Sequence, residues 1–561
     1  MAKRKQLIKA LLLLFLLIVL VTCANQIAPS GGDPDLTPPI VIEIYPKAST
    51  TNFDDNYFEI TFSEYVDKRS VKESIFISPE IESQIEYDWS GTTVEVSFED
   101  SLKPNTTYSI TVGTDVADIN NRNKMSEAFN FAFSTGPEID EGRISGQVYD
   151  ANPDGVIMCA YKIDAEEYNP VENKPAYRSQ VGSNGKFSFL ALAPGTYRVA
   201  ALRDEFRDYL YNIEEDAYGT LYKDVILSKE NPIVQNMNFK LTRQDTTPPD
   251  ILAVTMTDDY HFLVEFSEYI DSTRLSKNNF YLFDSTESRL INFEQLFKGL
   301  AKPKSLFLTF NDSLNEDSEN YLIAKNIFDN FSNQLEYQST SVAVNSEPDT
   351  LRPEISGLKT DYPDNRLGIV NPAFTLNFND GINNVLALTA LALFDSRNRK
   401  LNLEFDFIDD ASLKVIVKNK IESRSEFDLK IDLTKIVDIA GNRGDSTETI
   451  KVYSINELDF TGVSGSVLAD QNYDNLKVVL ESVGTGSKVY NADVDSVNNF
   501  KINRVVPGKY LIWSYDDKDS SGSYSYGNIF PFEESEKFAY YPDTLNLRAR
   551  WPVGDVFINF D

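Results

Sequence analysis

Three stretches of the chain repeat one pattern of apolar and polar positions. They are Phe58-Glu59-Ile60-Thr61-Phe62-Ser63-Glu64-Tyr65, Phe262-Leu263-Val264-Glu265-Phe266-Ser267-Glu268-Tyr269 and the more diverged Phe374-Thr375-Leu376-Asn377-Phe378-Asn379-Asp380-Gly381. Apolar residues at every second place predict a half-buried strand, here running into an acidic turn. Each stretch follows a proline-marked lead-in: Thr37-Pro38-Pro39, Thr247-Pro248-Pro249 and Leu351-Arg352-Pro353. Each is followed by a late strand and a loop rich in Asp and Asn. Tyr108, Ile110 and Val112 precede Asp118-Ile119-Asn120-Asn121; Tyr321 and Ile323 precede Asp329-Asn330; Phe427, Leu429 and Ile431 precede Asp438-Ile439-Ala440-Gly441-Asn442. Asp, Asn and Gly supply side-chain-capped turns and positive φ there. Repeats of roughly 100 residues with many short strands predict β-sandwiches.

Two other segments share a different pattern. Ile144-Ser145-Gly146-Gln147-Val148 is followed by Asn184-Gly185-Lys186-Phe187 and Pro194-Gly195-Thr196-Tyr197. Val463-Ser464-Gly465-Ser466-Val467 is followed by Asn499-Phe500-Lys501-Ile502 and Pro507-Gly508-Lys509-Tyr510. Asn-Gly favours a tight hairpin turn, and Pro-Gly a type II turn between strands. No long amphipathic helix is expected; Asn384 to Phe394 reads as one short helix or a strand.

In Leu102-Lys103-Pro104-Asn105-Thr106-Thr107-Tyr108, a Tyr enters a late strand after a turn. This resembles the tyrosine corner of fibronectin-type sandwiches. With the three repeats, it resembles the bacterial immunoglobulin-like domain of S-layer and other surface proteins. The other two segments resemble the transthyretin-like, or carboxypeptidase-regulatory-like, module. The expected fold is all-β, a tandem array of small antiparallel β-sandwiches, three immunoglobulin-like and two transthyretin-like. The boundaries read as a signal peptide over 1–22 and a linker over 23–37. Immunoglobulin-like domains follow at 38–136, 246–345 and 349–455, and transthyretin-like domains at 141–243 and 456–561.

The N-terminus bears on location. Lys3, Arg4, Lys5 and Lys9 precede the apolar run Ala10 to Val21. The run is shorter than the about 20 residues a bilayer span needs, and suits a signal peptide. Leu20-Val21-Thr22-Cys23 then resembles a bacterial lipobox, with Thr22 standing where Gly or Ala is commoner. That resemblance implies lipid on Cys23 and an outer-membrane lipoprotein. Pro29, Gly31-Gly32 and Thr37-Pro38-Pro39 also resemble the mature start of Gram-negative surface lipoproteins. An ordinary signal peptide, or an uncleaved anchor with a cysteine nearby, is the alternative.

Composition narrows the partners. The 561 residues carry a formal charge of -33, and removal of Lys3, Arg4, Lys5 and Lys9 makes the mature chain more acidic still. Phosphate backbones and anionic lipid surfaces repel such a chain, so nucleic acid is not an expected partner. Aromatics at 12% argue against disorder. With Cys23 lipidated, Cys159 stands alone, in a run that reads as a buried strand. The single histidine, His261, excludes multi-histidine metal sites and weakens any Ser-His or Cys-His proposal.

No phosphate-binding glycine loop, zinc spacing, nucleophile elbow or kinase signature is present, and the chain is expected not to be an enzyme. One constellation carries chemistry. In an immunoglobulin-like sandwich the loops after the second and sixth strands share a pole, where the preceding domain also joins. Glu64 is thus expected near Asp118, Glu268 near Asp329, and Asp380 near Asp438, with Asp245, Asp250, Asp349 and Glu354 in the lead-ins. Clustered carboxylates repel, and calcium held by their oxygens would relieve this at the domain junctions. Otherwise these side chains hydrogen-bond loop amides and cap turns. Asp517-Lys518-Asp519-Ser520-Ser521-Gly522 starts like a calcium loop, but its twelfth position is Asn528 where Glu is required. Tyr524, Tyr526, Phe530, Phe532 and Tyr540-Tyr541 either line a carbohydrate or protein contact or close the last sandwich.

The expected function is a non-enzymatic, lipid-anchored spacer, docking or adhesion protein of the outer membrane, at the cell surface. It would hold the membrane through lipid at Cys23 and meet an envelope protein or polysaccharide. The alternatives are an accessory subunit of an outer-membrane β-barrel complex and a glycan-binding surface lipoprotein.

Overall fold

The computed structural model describes residues 34–561, apart from 82, 164–166, 485–487 and 561. The predicted signal peptide and Cys23 lie outside the described residues. The fold is a tandem array of small β-sandwiches, nearly all-β, as the period-two repeats predict.

The predicted strands form because alternation gives each one buried row. In Tyr57–Phe62, Phe58, Ile60 and Phe62 are fully buried while the residues between them are partly exposed. His261–Phe266 buries Phe262, Val264 and Phe266, and Ala373–Phe378 buries Phe374, Leu376 and Phe378. Each lies mid-sheet, between the lead-in strand and a later one. Phe58 stands opposite Val96, Val264 opposite Leu306, and Phe374 opposite Val415. The partner sheet of each sandwich closes the core. Asn384–Ala390 is a helix capped by Asn383, and strand Leu391–Asp395 follows at once, so both readings of that run apply, one after the other.

The two sandwiches of the other type repeat a common device. The hydroxyl of Tyr197 donates to the Ala193 carbonyl at 2.7 Å, and that of Tyr510 to the Val506 carbonyl at 2.7 Å. The amides of the same two residues donate to Tyr177 and Tyr490. Gly146 and Gly465 occupy matching places. A Cβ on either would meet a backbone carbonyl oxygen, that of Met237 at 1.7 Å or that of Val556 at 1.8 Å. In the last sandwich this close approach belongs to a parallel pair, Thr461–Leu468 beside Val553–Asn559.

The described residues divide into two compact units: those within 34–167, 175–199 and 225–237, and those within 168–174, 200–224 and 238–560. The division passes within strand Gly195–Arg203. In the first unit Gly142–Tyr149 pairs with Lys186–Leu192, and Ile157–Lys162, which buries Cys159, pairs with Tyr177–Gln180. In the second, Ala217–Gly219 pairs with Thr242–Arg243. Among the described residues no helix is long and apolar enough to cross a membrane.

Candidate functional site

The acidic poles are built by one loop device used three times. In the first sandwich, Asp118 Oδ1 accepts the amides of Asn121 and Arg122, and its Oδ2 accepts Asn123 Nδ2 at 2.7 Å. Asn123 Nδ2 also donates to the carbonyl of lead-in residue Asp35 at 2.9 Å. In the third, Asp329 Oδ1 accepts the amides of Phe331 and Asn333, and Oδ2 accepts Asn333 Nδ2 at 2.8 Å. That same Nδ2 donates to the Asp245 carbonyl at 3.0 Å. In the fourth, Asp438 Oδ1 accepts the amide of Asn442 at 2.8 Å, and Asn442 Nδ2 donates to the carbonyl and Oδ2 of Asp349 at 3.2 Å. The residue before each turn acid completes the seam. Ser63 Oγ, Ser267 Oγ and Asn379 Oδ1 accept the amides of Ile40, Asp250 and Glu354.

Carboxylates therefore gather at each pole. Asp35, Glu64 and Asp118 form one cluster, and Asp245, Glu268 and Asp329 a second, each with oxygens within 4.8 Å of one another. At the third pole, ligand-type atoms of Asp349, Asp380 and His261 meet within the same distance, and Asp438 is close enough for its charge to be felt. Asp250 and Glu354 instead lend backbone amides to the seam.

The loop amides decide the charge states. Burial pushes the Asp118 carboxyl up, but hydrogen bonds from Asn121, Arg122 and Asn123 outweigh it and hold the group below the usual range. Burial and the charges of Asp35 and Asp118 push Glu64 up. Glu268 is raised to about 7 by burial and by Asp245 and Asp329. Asp438 rises to about 6, from burial opposed by Asn442 and reinforced by Asp380 and Asp349.

His261 is the residue that the sequence reading did not connect to this chemistry. Its Nδ1 lies 2.8 Å from Asp258 Oδ1 and its Nε2 2.9 Å from Asp380 Oδ1. With a carboxylate at each nitrogen, the ring carries both protons and is an imidazolium. Burial opposes that charge, yet the two hydrogen bonds win and hold its pKa at about 10. Only the position of His261 beside Asp258, at the start of a strand, hinted at this in the sequence. Asp380 lies in the next sandwich.

The loop after Asp517 does not close as the calcium-loop pattern requires. Asn528 is not its final acid; its Oδ1 accepts the Tyr218 hydroxyl. Glu536 joins Asp517 and Asp519 instead. Glu536 accepts the amides of Lys518 and Ser525, Asp517 accepts from Gly522 and Asn475, and Asp519 from Ser521 and Ser525. These bonds give the loop acids a structural role.

The Tyr-rich stretch packs inside the second unit. The Lys240 ammonium lies over Trp513, with Tyr524, Phe538 and Tyr540 around it. Tyr218 donates to the Gly527 carbonyl, Thr220 to that of Tyr526, and Phe532 meets Tyr168 edge-on. The aromatic residues are thus largely used within the chain.

Residues 35–135 match the bacterial Ig-like domain family. Among curated proteins none matches the chain. Solved structures similar to it include the N-terminal part of the bacterial S-layer protein SbsC, at 10% identity and TM-score 0.17, over 37% of this chain and 45% of that one. Domains 1–6 of SbsC match at 10% identity and TM-score 0.14, over 85% of this chain and 60% of that one. A D312A variant of BcpA, the major pilin subunit of Bacillus cereus, matches at 10% and 0.14, over 75% and 99%. The chain thus spans about half of the two S-layer structures.

Proposed function

We propose that this protein is a non-enzymatic lipoprotein of the outer membrane, held by lipid at Cys23 and acting at the cell surface as a docking or adhesion module. What carries the reading is one combination: a lipobox-like Leu20-Val21-Thr22-Cys23 ahead of a chain whose described residues are built as β-sandwiches, the first an Ig-like domain. The second and fifth sandwiches are read as transthyretin-like modules, on their shared Gly and Tyr devices. In such folds loops and sheet edges make the contacts. The acidic surface disfavours nucleic acid.

Between the partner classes, the packing of the Tyr-rich stretch favours a protein. A glycan platform needs exposed aromatic faces, and Trp513, Phe538 and Tyr524 are turned to Lys240 and to one another. The protein is read as an accessory subunit of an envelope assembly, such as one built on an outer-membrane β-barrel.

The test is membrane fractionation with a mild-detergent pull-down and mass spectrometry, using a Cys23→Ala control. Expected is a stoichiometric partner, with membrane attachment lost in the control. A wild-type protein that elutes alone overturns the subunit reading; a Cys23→Ala protein still in the membrane overturns lipid anchoring.

A further inference from the structure

We propose that Asp380 and Asp438, whose buried Oδ2 atoms lack partners, hold one hard divalent cation, calcium by its chemistry, together with Asp349, which lies within 4.8 Å of Asp380 and is joined to Asp438 through Asn442, where the third and fourth sandwiches join. The inference goes beyond the docking role and does not depend on where the protein is anchored.

The case rests on two bare oxygens. Asp380 and Asp438 are 3% and 5% exposed, and the Oδ2 of each has no hydrogen-bond partner. A buried carboxylate oxygen without a donor is costly. The two sit on loops joined by the bond from the Asn383 amide to the Val437 carbonyl, and two such oxygens on adjoining loops point to something that binds both.

The other poles show what a hydrogen-bonded version looks like. At Asp118 and Asp329, the loop Asn folds its Nδ2 onto the Oδ2 of the aspartate, and every oxygen is used. At the third pole Asn442 turns its Nδ2 to Asp349 instead, which leaves Asp438 Oδ2 bare. The same loop has traded an internal hydrogen bond for an open carboxylate.

His261 does not fill the gap. It neutralises one oxygen of Asp380 and shares its charge with Asp258. As an imidazolium it is not a ligand. Asp349 and Asp380 still bring carboxylate oxygens within 4.8 Å of each other, and Asn442 holds Asp438 beside Asp349. Calcium accepts six to eight oxygens at about 2.3–2.6 Å in irregular geometry, and water completes the shell. Magnesium demands near-ideal octahedral geometry and gives up its water reluctantly, so it suits an all-protein carboxylate set less well.

The experiment is a calcium titration of the purified mature chain after treatment with a chelator, read by calorimetry and thermal unfolding, with magnesium as control. Expected is one site with Kd of about 0.1–1 mM, the range of extracellular modules, and a Tm raised by calcium more than by magnesium. Asp438→Asn removes charge at constant shape, and in chelator its Tm is expected at or above that of wild type. Its calcium affinity should fall at least tenfold, while Asp118→Asn and Asp329→Asn keep the response. Absence of heat and of any Tm shift in wild type overturns the proposal, and that arm needs no variant. A calcium response undiminished in Asp438→Asn overturns it as well.

Discussion

The Lys240 ammonium stands 3.5 Å from the centroid of the Trp513 ring and 3.0 Å from the hydroxyl of Tyr540, a residue 300 positions away in the chain. A cation over an aromatic face gains electrostatic attraction, more so when desolvated. Around it Tyr524, Phe538 and Tyr540 complete an aromatic box inside the second unit. This contact ties the end of the second sandwich to the last one.

The box predicts a measurable pH dependence. Burial lowers Lys240 to about 8, against attraction from Glu481 that raises it. In the unfolded chain the amine titrates near its ordinary value, about 10.4. Between these values the unfolded state binds more protons, so wild-type stability rises as pH climbs from 8 to about 10.4. Lys240→Met lacks that rise, and equilibrium denaturation at pH 7 and pH 10 checks it. Trp513→Ala, which empties the box, is expected to cost about 3–5 kcal/mol at either pH.

His261 predicts the opposite slope. Its pKa is about 10 when folded and 6.5 ordinarily. The stabilisation is complete below pH 6.5 and is lost as pH rises through about 10. His261→Gln leaves Asp380 and Asp258 without their cation and is expected to cost about 3–5 kcal/mol at pH 6. The penalty should shrink toward pH 10. Chemical denaturation of both proteins across that range checks it.

Gly146 and Gly465 are each held by a neighbouring backbone. A methyl group would lie within 1.8 Å of a carbonyl oxygen at both. Gly146→Ala and Gly465→Ala are each expected to destabilise their own sandwich by at least about 3 kcal/mol. Hydrogen exchange localises the effect: protection should fall in strands Gly142–Tyr149 or Thr461–Leu468.

The three tyrosine locks predict smaller, equal losses. Tyr108 accepts the Lys103 amide at 3.0 Å, while Tyr197 and Tyr510 donate to Ala193 and Val506. Each Tyr→Phe change removes one part-buried hydrogen bond to a backbone group, at a cost of about 0.5–1.5 kcal/mol. Thermal unfolding of the three variants checks it. A neutral Tyr197→Phe would show that water replaces the hydroxyl.

Much of the fold was legible because its signals are local. The alternation of Phe58, Ile60 and Phe62 specifies a strand with one buried face, whatever else surrounds it. The Leu102 to Tyr108 turn announced its tyrosine corner, since a hydroxyl reaching five residues back needs no distant partner. Asn384 to Phe394 was ambiguous because Ala and Leu suit helix and strand alike. The capping bond from the Leu386 amide to Asn383 and the pairing of Leu391 with Ile431 divided it.

The sites divide along the same line. The order of strands placed Glu64 with Asp118, Glu268 with Asp329, and Asp380 with Asp438, because loops at one end of a sandwich meet by topology. Sequence alone therefore determined the sandwich array, its repeats and the acidic poles, all properties of alternation and turn chemistry within about 100 residues. Only the tertiary structure decided that His261 bridges Asp258 and Asp380, that Asp438 Oδ2 is left bare, and that Lys240 is enclosed by Trp513 and Tyr540. Those are facts of desolvation and angstrom-scale geometry between segments far apart in the chain, and no local pattern encodes the distance between them.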